Sequence, residues 1–143
     1  LLMLILFASW INAFEFDATE CPDLFPPLVV LALFAEGVSV IKGVSRLIDK
    51  ESNRAEALKD VFTTLGGKVS IDNDLMYISG KAELNGGEID SFGDHRIAMA
   101  AAVAGLKSKS PVQINNAGVI AKSFPGFYQQ LILLGAKVEL INE

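Results

Sequence analysis

The chain has 143 residues, with 12 Lys+Arg against 17 Asp+Glu and a formal net charge of −5 when its single histidine is neutral. Hydrophobic residues make up 51% before the 12 glycines are counted, and mean hydropathy is +0.41. This exceeds the ~45–50% apolar share of ordinary soluble domains and excludes intrinsic disorder. A lone cysteine, Cys21, excludes a disulfide scaffold. The acidic balance argues against non-specific nucleic-acid binding, which needs clustered positive charge. The length predicts about one domain, and the apolar excess points to surface covered by something outside this chain.

Residues 1–11, LLMLILFASWI, are the most apolar stretch. They fall short of the ~18–20 residues that cross a bilayer, and no basic n-region or small-residue cleavage site marks a signal peptide. The run reads as the middle of a buried element in the C-terminal piece of a longer protein. A short strand is predicted over 14–18. An apolar helix follows over 24–35, with Asp23 as N-cap, Pro26 in its first turn and Gly37 as its stop. β-Branched residues predict a strand over 39–43. An amphipathic helix spans 52–65, where Leu58, Val61, Phe62 and Leu65 recur at three- and four-residue spacing and Glu56, Lys59 and Asp60 face out. Residues 68–72 and 75–79 read as a hairpin across Asp72-Asn73-Asp74. The second half predicts a strand over 88–90, a small-residue helix over 95–106 capped by Asp94, a strand over 112–115, a helix over 125–134 and a strand over 137–141.

Elements and letters repeat. Asp23 and Asp94 each precede an apolar helix. Residues 40–42 match 112–114, Lys50-Glu51-Ser52 aligns with Lys122-Ser123, and Leu65-Gly66-Gly67-Lys68-Val69 is echoed by Leu134-Gly135-Ala136-Lys137-Val138. The offset stays near ~70 residues, longer than a solenoid unit, so pseudo-symmetric packing about a common axis is expected. Repeat one runs from about 14 to 80 and repeat two from about 87 to 143, with 1–13 unassigned. Equivalent loops would then gather at one mouth.

Three charged clusters sit at predicted helix starts: Lys50-Glu51-Ser52-Asn53-Arg54, Gly93-Asp94-His95-Arg96 and Ala121-Lys122-Ser123-Phe124-Pro125. Taken singly, each also reads as an ordinary solvated helix entrance. Lys50 and Arg54 are four apart, a spacing that turns both toward one site on a helix. In Gly93-Asp94-His95-Arg96 the charges precede a wholly apolar run, so they face the mouth of a buried helix. Together the loops offer Lys50, Arg54, His95, Arg96 and Lys122 as cations, against Asp23, Glu51 and Asp94. That set suits a polyanionic small molecule, with one or two carboxylates left for proton transfer. No metal-ligand spacing, GxxxxGK[ST], GxSxG or GxGxxG is present, so neither a metal nor a cofactor is implied.

Pro22-Asp23, Lys50-Glu51-Ser52-Asn53-Arg54, Gly93-Asp94-His95-Arg96-Ile97-Ala98-Met99-Ala100 and Ala121-Lys122-Ser123-Phe124-Pro125, in this order and spacing, closely resemble the motifs of the 5-enolpyruvylshikimate-3-phosphate synthase (3-phosphoshikimate 1-carboxyvinyltransferase) family. The resemblance runs from about Phe16 to Leu140, the last third of such an enzyme. It implies an α/β, inverse α/β barrel-like enolpyruvyl transferase fold built of pseudo-symmetric βαβαββ repeats, with about two repeats of one domain in this chain.

The implied reaction moves the carboxyvinyl group of phosphoenolpyruvate to the 5-hydroxyl of shikimate 3-phosphate and releases phosphate, a step of aromatic amino acid biosynthesis by the shikimate pathway. By position, Asp23 is similar to the carboxylate that contacts the shikimate hydroxyls and accepts the 5-hydroxyl proton. Lys50 resembles the lysine between the substrates, and Glu51 the acid that protonates the methylene carbon. Arg54, Arg96 and Lys122 resemble the clamp on phosphoenolpyruvate, with His95 alongside. The implied partners are the two substrates and an N-terminal domain across the cleft. Without that domain the isolated piece is expected to turn over negligibly and to self-associate through its apolar surface. No membrane contact is implied, and the unpaired Cys21 points to a reducing compartment, the cytosol.

Asn53 departs from the family's usual Asp, which puts the placement of Arg54 in question; Asp49, where the family often has an apolar residue, is a smaller departure. Two other readings stand. One is the sister transferase acting on UDP-N-acetylglucosamine. The other is a non-catalytic α/β module that binds anions through its basic loops or a partner through its apolar face.

Overall fold

The computed structural model describes residues 11–141. The apolar run read above as a buried element lies, Ile11 apart, outside the described residues. Within them the chain forms β1 (Glu15–Asp17), α1 (Phe25–Leu33), β2 (Val38–Lys42), α2 (Arg54–Thr64), β3 (Lys68–Asp72), β4 (Leu75–Ser79), β5 (Gly87–Asp90), α3 (His95–Gly105), β6 (Val112–Asn115) and α4 (Phe127–Leu133). Short 3-10 turns at Pro22–Leu24, Val44–Leu47 and Ala117–Lys122 join them.

The first sheet has the order β1-β2-β4-β3, with β1 parallel to β2 and both other pairings antiparallel. The second is a parallel pair, β5-β6. Each parallel pair is crossed by one helix, α1 or α3, which is the connection a parallel ladder requires. Local detail repeats as well. Single parallel bridges, Asn12 to Glu36 and Leu84 to Ser108, extend the two ladders at equivalent points. Gly43 and Asn116 each enter a 3-10 turn in the left-handed conformation, at φ 110° and 55°, where glycine and asparagine are the residues that fit with least strain.

The helices face inward. Helix α1 packs on α3, β2 and β4, while α2 packs on α3, β3 and β5. Phe25, Leu33, Leu58, Phe62, Met76 and Ile78 are wholly buried in the common core. Helix α3 can lie between two other helices because Ala98, Ala100, Ala101 and Ala104 line its buried faces. Alanine keeps the backbones close at no cost in side-chain entropy.

Two readings need correction. Asp23 is not an N-cap: it lies in the Pro22–Leu24 turn, Leu24 holds the cap position of α1, and no side chain caps that end. Pro26 sits in the first turn, where a missing N–H is tolerated. Residues 137–141 form no strand. The equivalent β3 is held by β4 alone, and among the described residues 137–141 have no such partner, so Leu140 and Ile141 stay exposed.

Candidate active site

The N-terminal end of α3 organises the site. Asp94 caps it: Oδ1 accepts from the Arg96 backbone N–H at 2.9 Å. The same carboxylate receives the Arg54 guanidinium side-on, with Nε donating to Oδ2 at 2.8 Å and Nη2 to Oδ1 at 3.2 Å. Ser52 Oγ donates to Oδ2 at 3.1 Å. Both side chains of the Arg54–Asp94 pair are fully buried. Burial alone would raise the Asp94 carboxyl, but the hydrogen bonds and charge of Arg54, then the Arg96 N–H and the Ser52 hydroxyl, outweigh it and hold Asp94 below the usual carboxylate range.

Arg54 has further partners. Its Nη1 donates to Asp23 Oδ1 at 3.1 Å, and its Nη2 also donates to Glu51 Oε2. Asp23 Oδ2 accepts from Arg96 Nη2 at 3.1 Å. Thus two arginines and three carboxylates, drawn from the Pro22–Leu24 turn, the start of α2 and the start of α3, form one network. Lys122 Nζ donates to the Gly93 carbonyl at 3.0 Å and joins the same mouth. His95 lies buried in the first turn of α3, and its Nδ1 has no hydrogen-bond partner among the described residues. Lys50 is exposed in the bend preceding Glu51.

The geometry changes the reading of the first cluster. Helix α2 begins at Arg54, and Lys50 lies four residues before it in a bend off the helix, so helical spacing does not align the two. Arg54 turns inward and is engaged by three carboxylates, of which Asp94 alone is buried. Asn53 is not among its partners. The Asn53 side chain instead caps α2, accepting from the Glu56 N–H at 3.4 Å, a task Asn performs as well as Asp. Arg54 therefore does not depend on residue 53 for its placement. Ser52, and the second role of Asp94 as the seat of Arg54, were not read from the sequence. The only trace of them is their place beside Arg54 and Arg96 in clusters already marked.

A shallow concavity of about 140 Å³ between α2 and β5 is lined by Asp60, Glu88 and Asp90 and lies apart from this network. Its acidic lining does not suit an anion. Among the described residues no group of three or more His, Cys, Asp or Glu is placed to hold a metal ion, and no helix is long and apolar enough to cross a membrane.

Comparison with known proteins gives this arrangement its context. The family model of EPSP synthase (3-phosphoshikimate 1-carboxyvinyltransferase) matches residues 4–131. A 3-phosphoshikimate 1-carboxyvinyltransferase of Clostridium acetobutylicum is 43% identical over 122 residues, covering 85% of this chain and 28% of that protein. The solved EPSP synthase of Acinetobacter baumannii superposes with a TM-score of 0.76 at 35% identity, over 80% of this chain and 27% of that one. The enolpyruvyl transferase NikO of Streptomyces tendae superposes with a TM-score of 0.69 at 20% identity, over 88% of this chain and 28% of that one, and shows the shared fold alone. The chain thus spans under a third of the length of these relatives. With an enolpyruvyl transferase fold and a family match across most of its residues, it belongs to the EPSP synthase (3-phosphoshikimate 1-carboxyvinyltransferase) family.

Proposed function

We propose that this chain supplies one wall of an active site that transfers the carboxyvinyl group of phosphoenolpyruvate to the 5-hydroxyl of shikimate 3-phosphate. The observation that carries the reading is the network in which Arg54 and Arg96 meet Asp23, Glu51 and Asp94 at the mouth of α3, with Lys122 beside it. The two substrates bring roughly five negative charges, counting ~1.5–2 per phosphate and one per carboxylate. Preorganised cations offset their mutual repulsion.

In this reading Arg54, Arg96 and Lys122 clamp phosphoenolpyruvate, with His95 alongside, and Lys50 reaches between the substrates. Glu51 delivers a proton to the methylene carbon. The 5-hydroxyl oxygen attacks the adjacent carbon while Asp23 accepts its proton, which yields a tetrahedral intermediate. Glu51 then recovers the proton from the new methyl group as the carbon–phosphate oxygen bond breaks and phosphate leaves. Glu51 accepts from Arg54, so its turn as acid follows release of that hydrogen bond. The pathway is that of aromatic amino acids, and the compartment proposed is the cytosol. Residues 14–80 and 87–143 act as two repeats of one domain, and a second domain completes the cleft.

The test grafts this chain in place of the corresponding segment of the Clostridium acetobutylicum relative. Phosphate release that requires both phosphoenolpyruvate and shikimate 3-phosphate is expected. UDP-N-acetylglucosamine should not substitute, Arg96→Ala should raise the KM for phosphoenolpyruvate at least tenfold, and the isolated 143-residue chain should turn over negligibly. A folded graft without shikimate 3-phosphate-dependent release would refute the reading.

A further inference from the structure

The two oxygens of Asp23 are divided between two arginines. Oδ1 accepts from Arg54 Nη1 and Oδ2 from Arg96 Nη2, each at 3.1 Å. A ligand carboxylate or phosphate would span two guanidinium groups in the same way. Exposure orders the group from inside to outside. The side chain of Arg54 is 0% exposed, that of Arg96 35% and that of Asp23 54%. Asp23 therefore lies on the solvent side of a buried cation. Asp94, by contrast, is fully buried with both oxygens engaged, so it is the fixed seat of Arg54 and cannot give way. Asp23 rides on a short 3-10 turn and caps no helix. Moving it costs a rotamer change, one exposed ion pair to Arg96 of a kind that contributes little, and one half-buried ion pair to Arg54 that the incoming anion replaces.

We propose that Asp23 is an internal stand-in for the ligand's anionic group. It occupies the Arg54–Arg96 site, and an incoming phosphate or carboxylate anion displaces it. This rests on the reading of the site given above and adds its control. Asp23 is sequestered between arginines until the anion arrives, and only then is it free to accept a hydroxyl proton. Anion binding thereby arms the base.

The test uses the 143-residue chain and inorganic phosphate, titrated by NMR at constant ionic strength. Asp23→Asn should bind phosphate about three- to fivefold more tightly than Glu56→Gln, the factor that loss of a half-exposed ion-paired competitor corresponds to. The Glu56 variant removes the same charge from an exposed side chain that pairs with neither arginine. Adding Arg96→Ala to Asp23→Asn should abolish the gain. In the unmodified chain, saturating phosphate should shift the Asp23 carboxylate carbon and leave that of Asp94 unmoved, a readout independent of how any variant folds. Binding by Asp23→Asn no tighter than by Glu56→Gln, undetectable binding by Asp23→Asn, or an Asp23 carbon that stays still would each overturn the proposal. Failure here leaves the transfer reaction to be judged by shikimate 3-phosphate-dependent turnover, and failure of turnover leaves this titration unaffected.

Discussion

Arg54 carries its charge where charge is costly. A buried guanidinium persists only if its charge and its N–H groups are matched, and Asp94 supplies both through two parallel hydrogen bonds. Removing one partner of such a pair strands the other, at ~3–5 kcal/mol. Asp23 and Glu51 still partner Arg54, so Asp94→Asn is expected to lower the stability of the chain by at most about that much, although Asn retains the N-cap. Arg54→Met combined with Asp94→Asn should be less destabilised than Asp94→Asn alone, because the buried charge that has lost its one buried partner is gone. Urea denaturation of the single and double variants checks this; a purely additive cycle would count against it. The pH dependence has a definite sign. Asp94 is held below its ordinary value, so its contribution is complete above the unfolded value near ~3.9 and is lost as pH falls through the lowered folded value. The acid limb of the stability curve should flatten in Asp94→Asn. The sequence shows that acids and bases cluster here but not that Arg54 turns inward, because that depends on where α2 starts. With α2 starting at 54 rather than 52, Arg54 is its first residue and faces Asp94, the cap of α3.

The repeated elements were largely legible because their signals are local. Asp-Asn and Gly-Gly turns, three- and four-residue apolar spacing and β-branched runs mark β2, α2, β3, β4, α3 and β6 within a residue or two of where they lie. The matched letters recur in matched backbone, as in the left-handed Gly66 and Gly135 that close α2 and α4. Residues 137–141 open with the same Lys-Val as β3 but form no strand, since strand pairing is a property of two segments and sequence similarity describes one. Hydrogen exchange makes the difference measurable. Amides of β3 that donate to β4 should be protected, whereas those of 137–141 should exchange within minutes in the isolated chain. Equal protection of the two segments would show that 137–141 has found a partner.

The apolar excess in the composition has a location. Ile132, Leu133 and Leu134 at the end of α4 are 50%, 78% and 66% exposed, and Leu140 and Ile141 beyond them are 82% and 70%. Only Leu131 of α4 is buried. The equivalent helix α2 buries Leu58, Val61 and Phe62 against the core, where β3 and β5 pack on it; α4 lacks that cover among the described residues. Contiguous exposed apolar surface drives association when nothing covers it. The isolated chain is expected to show a scattering mass that rises with concentration. Leu133→Lys with Leu134→Glu should return it toward the monomer while leaving the Arg54 network, to which α4 contributes no side chain, intact by NMR. The variant tests location as well as tendency: persistence of concentration-dependent mass after both substitutions would place the adhesive surface elsewhere, and a monomeric parent chain would show that this face is stable in water on its own.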